Sequence, residues 1–210
     1  MKNKSIKTFP TFSNLLLSIT IVLTSMAVMT SCDEDPVKED TPELITEVTL
    51  TFTPAGGGAV VVVTATDPDG DGVQPIAADG PISLEANKVY TLSLTLVNGL
   101  VAPTDPAYDI TTEIEEEKDE HMFFFSWTNN VFANPAGNGN VDNRNDAVNY
   151  NDEDTNGLPL GLSTDWTAAS ATASGEFTVL LKHQPDIKSA TSSSADGETD
   201  VDVTFDVAIN

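Results

Sequence analysis

Apolar and polar residues alternate with a period of two along most of the chain after residue 43, which is the pattern of β-strands with one buried face. The clearest example is the segment 201–209, where every second residue is apolar and the residues between are Asp202, Thr204, Asp206 and Ala208. Further strands are predicted at 44–52, 59–66, 88–97, 121–127 and 176–183. The strand 59–66 is apolar on both faces and is therefore expected to be central in its sheet.

Segments rich in Gly, Asn, Asp and Pro separate these strands and predict turns and loops. One segment, 109–120 (DITTEIEEEKDE), has the pattern of a short acidic helix. Because strands dominate and no alternation of strands with helices is present, the sequence predicts an all-β fold. We expect an antiparallel β-sandwich of Ig-like architecture, formed by residues 44–210 as one domain.

The first 31 residues have the pattern of an export signal, with three lysines followed by an apolar run from Leu15 to Val28. The run ends on small residues before Cys32, the only cysteine, and this junction resembles the lipobox of bacterial lipoproteins. The resemblance implies that residues 1–31 are removed and that Cys32 becomes a lipidated N-terminus bound to a membrane. The alternative is an ordinary secretory signal that leaves Cys32 as a free thiol.

Residues 32–43 predict an extended acidic tether, since they contain little to bury. Asp33, Glu34 and Asp35 follow the cysteine directly and resemble the export tag that places Bacteroidota lipoproteins on the outer face of the outer membrane. The implied location is the cell surface. A solvated acidic tether, with the protein on the periplasmic face, is the alternative.

The chain is strongly acidic, with a formal net charge of −24 that becomes −27 once the three lysines of residues 1–31 are removed. Such a charge repels phosphate and excludes nucleic acid as a partner. It attracts cations, although solubility alone would also explain many of the carboxylates. With one cysteine no internal disulfide forms, so packing must stabilise the fold.

The segments ELITEVTLTFTP, EIEEEKDEH, DEDTNGLPLGL, VLLKHQPD and GETDVDVTFDVAI together resemble a family of short Bacteroidota lipoproteins of the outer membrane or cell surface. Members are sometimes described as having a type 1 periplasmic-binding fold. The strand-rich pattern argues against that fold, which needs helices alternating with strands. The resemblance implies no particular activity.

Two histidines and the acidic helix form the strongest candidate site. His121 and His183 each end an apolar stripe on a predicted strand, and if the two ends meet, they and Glu120 would bind Zn²⁺ or Cu²⁺. Glu117 would join His121 if the helix continued to that residue. The alternatives are hydrogen-bonded rim histidines and a solvated acidic helix face.

Two aspartate-rich loops match the first half of a calcium-binding loop but lack its glutamate at position twelve. Either would bind Ca²⁺ weakly between strands, and ordinary turns stabilised by Asx side chains explain both equally well. The candidate ligands are Asp67, Asp69 and Asp71 in the first loop and Asp152, Asp154 and Asn156 in the second.

No nucleophile, phosphate-binding or zinc-protease motif is present in the sequence, so we expect no enzymatic activity. We expect instead a ligand-binding lipoprotein that captures a divalent cation beside an outer-membrane transporter. The second hypothesis is a glycan- or protein-binding module that uses the Asn/Gly-rich loop after residue 127 and an exposed Trp127 or Trp166. Core packing is the default interpretation of these aromatic residues.

Overall fold

A computed structural model describes residues 43–70 and 75–210, in which two sheets and one short α-helix form the fold. The predicted all-β sandwich is confirmed. The predicted signal peptide, Cys32 and all but the last residue of the predicted tether lie outside the described residues. Among the residues described, no helix is long and apolar enough to cross a membrane.

Ten strands are present in the described residues, together with a 3-10 helix (Pro106–Tyr108) and the helix α1 (Ile110–Glu116). The strands are β1 (Glu47–Pro54), β2 (Val61–Thr66), β3 (Ala77–Ala78), β4 (Ile82–Leu84), β5 (Val89–Val97), β6 (His121–Trp127), β7 (Phe132–Asn134), β8 (Ser163–Ala168), β9 (Ala173–His183) and β10 (Glu198–Ile209).

The first sheet has six strands in the order β3-β2-β1-β5-β8-β7 and is antiparallel throughout. The second has the order β4-β10-β9-β6, in which only the pair of β10 with β4 is parallel. The inward-facing residues of both sheets form one hydrophobic core. Phe52 of the first sheet packs edge-on against Phe177 of the second, with ring centroids 6.4 Å apart.

The apolar strand 59–66 is not central, which corrects the prediction. It forms β2, next to the two-residue β3 at the end of the six-stranded sheet, and Val62 is 56% exposed on its outer face. A valine-rich strand is favourable in either position, because β-branched side chains also suit a half-exposed pleated surface.

The outer edge of β6 is covered by loops, which fixes the strand that carries His121. Three backbone N–H groups of β6 donate to these loops: Phe123 N to Leu160 O (2.8 Å), Phe125 N to Asn140 Oδ1 (3.0 Å) and Trp127 N to Asn138 O (3.1 Å). An edge strand that is satisfied in this way is shielded from pairing with another chain.

Candidate metal centre

His121 and His183 are direct partners across two neighbouring strands. They are the first residue of β6 and the last of β9, and the antiparallel register sets them opposite each other. The imidazole rings are stacked, with centroids 4.5 Å apart and planes inclined by 4°. Both residues are buried, at 0% and 2% exposure. The two ends that the sequence could not place together do meet.

Strand alternation explains why both rings lie at the end of the core. His121 has the same parity as Phe123 and Phe125, and His183 has the same parity as Leu181 and Val179, so both point into the sandwich. Each histidine thus continues an apolar stripe to the rim, where polar groups of the adjoining loops surround it.

Glu117 lies beside the two rings, although the predicted helix to residue 120 is wrong. Helix α1 ends at Glu116, and Glu117 is its C-cap, with φ −101° and its N–H donating to Glu113 O. A tight turn follows, in which Glu120 N donates to Glu117 O (2.8 Å), and β6 starts at His121. One ligand atom each of Glu117, His121 and His183 lies within 4.8 Å of the other two.

The position of α1 is fixed from both sides. Its N-terminus is capped by Asp109, whose Oδ1 accepts the N–H of Thr112 (3.2 Å). Ile110 and Ile114 are buried in the core, while Thr111 exchanges two hydrogen bonds with the backbone of Leu96 in β5. The C-terminal end of the helix, followed by Glu117, is therefore held beside the two histidines.

Glu120 approaches the second histidine. Its Oε2 lies 3.5 Å from His183 Nε2, and its side chain is 29% exposed. Its backbone carbonyl accepts the N–H of Gln184 at 2.6 Å, which ties the start of β6 to the end of β9. The predicted set of His121, His183, Glu117 and Glu120 is thus brought together in one place.

Asp200 belongs to the same cluster but was not predicted. Its Oδ2 lies 3.7 Å from His121 Nε2, and its side chain is fully buried. Asp200 has no partner in the register of β10 with β9, which passes from Thr199 to Val201 across a β-bulge. Simple alternation would place Asp200 on the outward side with Asp202, and the bulge redirects it inward. No sequence signal marks this bulge.

Burial makes two carboxylates of the cluster hold protons more strongly than usual. Desolvation, followed by the charges of Glu113, Asp200 and Glu117, raises the pKa of Glu43 to about 7. Desolvation raises the pKa of Asp200 to about 6, against the opposing effect of His183. The Glu43 N–H donates to Asp200 Oδ1 at 3.4 Å, so both groups belong to one network. A bound cation would favour the ionised form of each carboxylate.

The first predicted calcium loop forms an ordinary Asx turn in its described part. Asp67 Oδ1 accepts the N–H groups of Asp69 (3.2 Å) and Gly70 (3.0 Å). Asp71 lies outside the described residues. Calcium binding in this loop stays a prediction.

In the second predicted calcium loop, the carboxylates are engaged by the protein itself. The two oxygens of Asp152 accept backbone N–H groups at 2.7 and 2.9 Å. Asp154 Oδ1 accepts the N–H of Asn156 at 2.8 Å, and its Oδ2 forms a buried ion pair with Lys188 Nζ at 3.0 Å. A lysine thus already supplies positive charge beside Asp154, and Ca²⁺ binding here stays a prediction.

Trp127 and Trp166 are buried, so the hypothesis of an exposed tryptophan is wrong and the default interpretation of core packing is confirmed. They are 2% and 0% exposed and pack edge-on at 5.1 Å between ring centroids in the core. The aromatic run of β6 is also buried. These side chains fill the sandwich, so neither tryptophan offers a stacking platform to a glycan.

The cluster combines the imidazoles of His121 and His183 with the carboxylates of Glu117, Glu120 and Asp200. This mixed nitrogen and oxygen donor set suits Zn²⁺ or Cu²⁺ better than Ca²⁺, which prefers oxygen ligands alone. Comparisons with protein-family models, with curated proteins and with solved structures find no match to this chain, and the resemblance to Bacteroidota lipoproteins therefore stays a prediction.

Proposed function

We propose that this protein is a non-catalytic lipoprotein that captures a divalent transition metal ion, Zn²⁺ or Cu²⁺. The observation that carries the proposal is the group of Glu117, His121 and His183, with one ligand atom from each within 4.8 Å of the others. Both histidines are buried in this group beside the additional carboxylates of Glu120 and Asp200.

The donor types support a transition metal. Neutral imidazole nitrogen and carboxylate oxygen are the ligands of many zinc and copper sites. The net charge of −24 adds a long-range attraction for cations. The candidate ligands come from the C-cap of α1, the turn before β6, and strands β6, β9 and β10, so metal binding would join these parts of the fold.

The proposed location follows from the N-terminal sequence. A lipid on Cys32 would hold the domain at the outer membrane, on the cell surface or on its periplasmic face, where it would pass metal to an outer-membrane transporter. Substitution Cys32→Ser should move the protein from the membrane fraction to the soluble fraction. Unchanged membrane partition would contradict a lipid anchor at this residue.

Isothermal titration of the purified, chelator-treated protein with Zn²⁺, Cu²⁺ and Ca²⁺ tests metal capture. We expect saturable binding of Zn²⁺ or Cu²⁺ at micromolar concentration or below, and a large loss of affinity in His183→Asn and Glu117→Gln. The matched control is Glu115→Gln, which removes one charge from an exposed position of the same helix. The proposal fails if the unmodified protein binds neither ion below millimolar concentration.

A further inference from the structure

The two histidine rings are parallel, which restricts how they can share an ion. Their planes are inclined by only 4°, and their centroids are 4.5 Å apart in a stacked arrangement. A metal bonded to an imidazole nitrogen lies in the plane of that ring, because the lone pair does. An ion in the plane of His121 therefore lies well outside the plane of His183, and one ion cannot bond both rings as they stand.

Each histidine instead has its own carboxylate in a position to complete a pair of ligands. The distance from His121 Nε2 to Asp200 Oδ2 is 3.7 Å, and the distance from His183 Nε2 to Glu120 Oε2 is 3.5 Å. Two ligands that each lie about 2.0–2.2 Å from a tetrahedral zinc ion are separated by roughly 3.4 Å. Both pairs therefore need only small movements to hold an ion.

Asp200 is buried, and its Oδ2 atom faces His121. Its side chain has no exposed surface, and among the described residues Oδ2 has no hydrogen-bond partner. An ionised carboxylate in this position is costly unless a cation lies beside it. The β-bulge that turns Asp200 inward places it against His121. Asp200 lies on β10 and Glu120 directly precedes β6, and these two strands flank β9 on opposite sides.

Glu117 lies close to both rings and has two oxygens to offer. In sites with two metal ions about 3.5–4 Å apart, the ions are held as a pair by the ligands around them, and a carboxylate is able to bind one ion through each oxygen. The spacing of the two histidine rings is comparable with such a separation.

We propose that this centre holds two divalent ions, one on His121 with Asp200 and the other on His183 with Glu120, with Glu117 between them. The inference rests on the proposed metal capture and adds the number of ions and the role of Asp200. It also assigns the carboxylate partner of each histidine, which makes the two halves of the centre separable by substitution.

Metal content after loading with Zn²⁺ and removal of excess ion, measured by mass spectrometry of the elements, tests the inference. We expect two ions per chain in the unmodified protein and in the charge control Glu115→Gln. Asp200→Asn and Glu120→Gln should each retain one ion, because each substitution affects one half. Circular dichroism of the four proteins checks that they remain folded.

The outcomes separate the two proposals. One ion in the unmodified protein, or two ions that neither substitution reduces, overturns the two-ion centre while leaving metal capture in place. No bound ion overturns both. Loading with Cu²⁺ gives an independent reading, since two neighbouring copper ions produce a spin-coupled resonance signal and a single ion does not.

Discussion

Substitution Asp200→Asn is expected to stabilise the metal-free protein at neutral pH, although it removes a buried side chain that accepts a hydrogen bond. The pKa of Asp200 is raised from 3.8 to about 6, mainly by burial. Because this pKa is higher in the folded state than in the unfolded state, the contribution of Asp200 to the free energy of unfolding is highest below about pH 4. It falls as the pH rises through 6, where Asp200 must ionise while buried. Asparagine keeps an oxygen for the N–H of Glu43 but carries no charge.

The size of the effect follows from the pKa difference of roughly two, at about 1.4 kcal/mol for each pKa unit. Asp200→Asn should therefore raise the free energy of unfolding by about 3 kcal/mol at pH 8 and change it little at pH 4. The gain should develop mainly between pH 4 and pH 6. A further, smaller gain is expected near pH 7, because loss of the Asp200 charge also lowers the pKa of Glu43, which is about 7 in the unmodified protein.

Urea unfolding in the presence of a chelator, at several pH values between 4 and 8, measures this difference. The control is Asp202→Asn, which removes the same charge from an exposed position of the same strand. Equal effects of Asp200→Asn at pH 4 and pH 8 would refute the reasoning, as would destabilisation at pH 8. With saturating Zn²⁺ the sign should reverse, since the variant then lacks a ligand.

Three further predictions concern the surroundings of the site. Zn²⁺ at about 100 times its dissociation constant should stabilise the protein by about 2.7 kcal/mol for each bound ion. Calorimetry should show this as a rise in Tm of at least about 5 °C that a chelator reverses. Gly197→Ala should lower the free energy of unfolding in urea by at least about 2 kcal/mol more than Gly157→Ala does. Both residues have φ near +75°, but only at Gly197 would a Cβ meet the carbonyl oxygen of His183. Equal losses in the two variants would contradict this. Lys188→Met should cost about 3–5 kcal/mol by leaving Asp154 buried and without its ion-pair partner. The double variant with Asp154→Asn, which keeps an oxygen for the N–H of Asn156 but carries no charge, should recover most of that loss if the unpaired charge is the cause.

The sequence predicts the strands well where one face is buried. The alternation of residues 201–209 matches β10, and the apolar stripes ending at His121 and His183 match β6 and β9. Period two also fixes which face each histidine occupies, so their burial follows from parity. Their pairing does not, because the register between two strands that are distant in the sequence depends on the whole sheet.

Two features of the site lie beyond such patterns. Asp200 is redirected by a bulge, and a single unpaired residue leaves no trace in the alternation. Helix α1 stops at Glu116 although three of the next four residues have good helix propensity, because the chain must turn to enter β6. The sequence leaves both positions open for the tryptophans for a related reason: an aromatic residue has the same pattern in a core as on a binding surface.

The placement of β10 between β4 and β9 sets an order for folding. A chain that has emerged only as far as residue 197 has β4 and β9 but lacks the strand that joins them, so the second sheet cannot close. Asp200 arrives with the same strand. We therefore expect assembly of this sheet to wait until synthesis has passed this point.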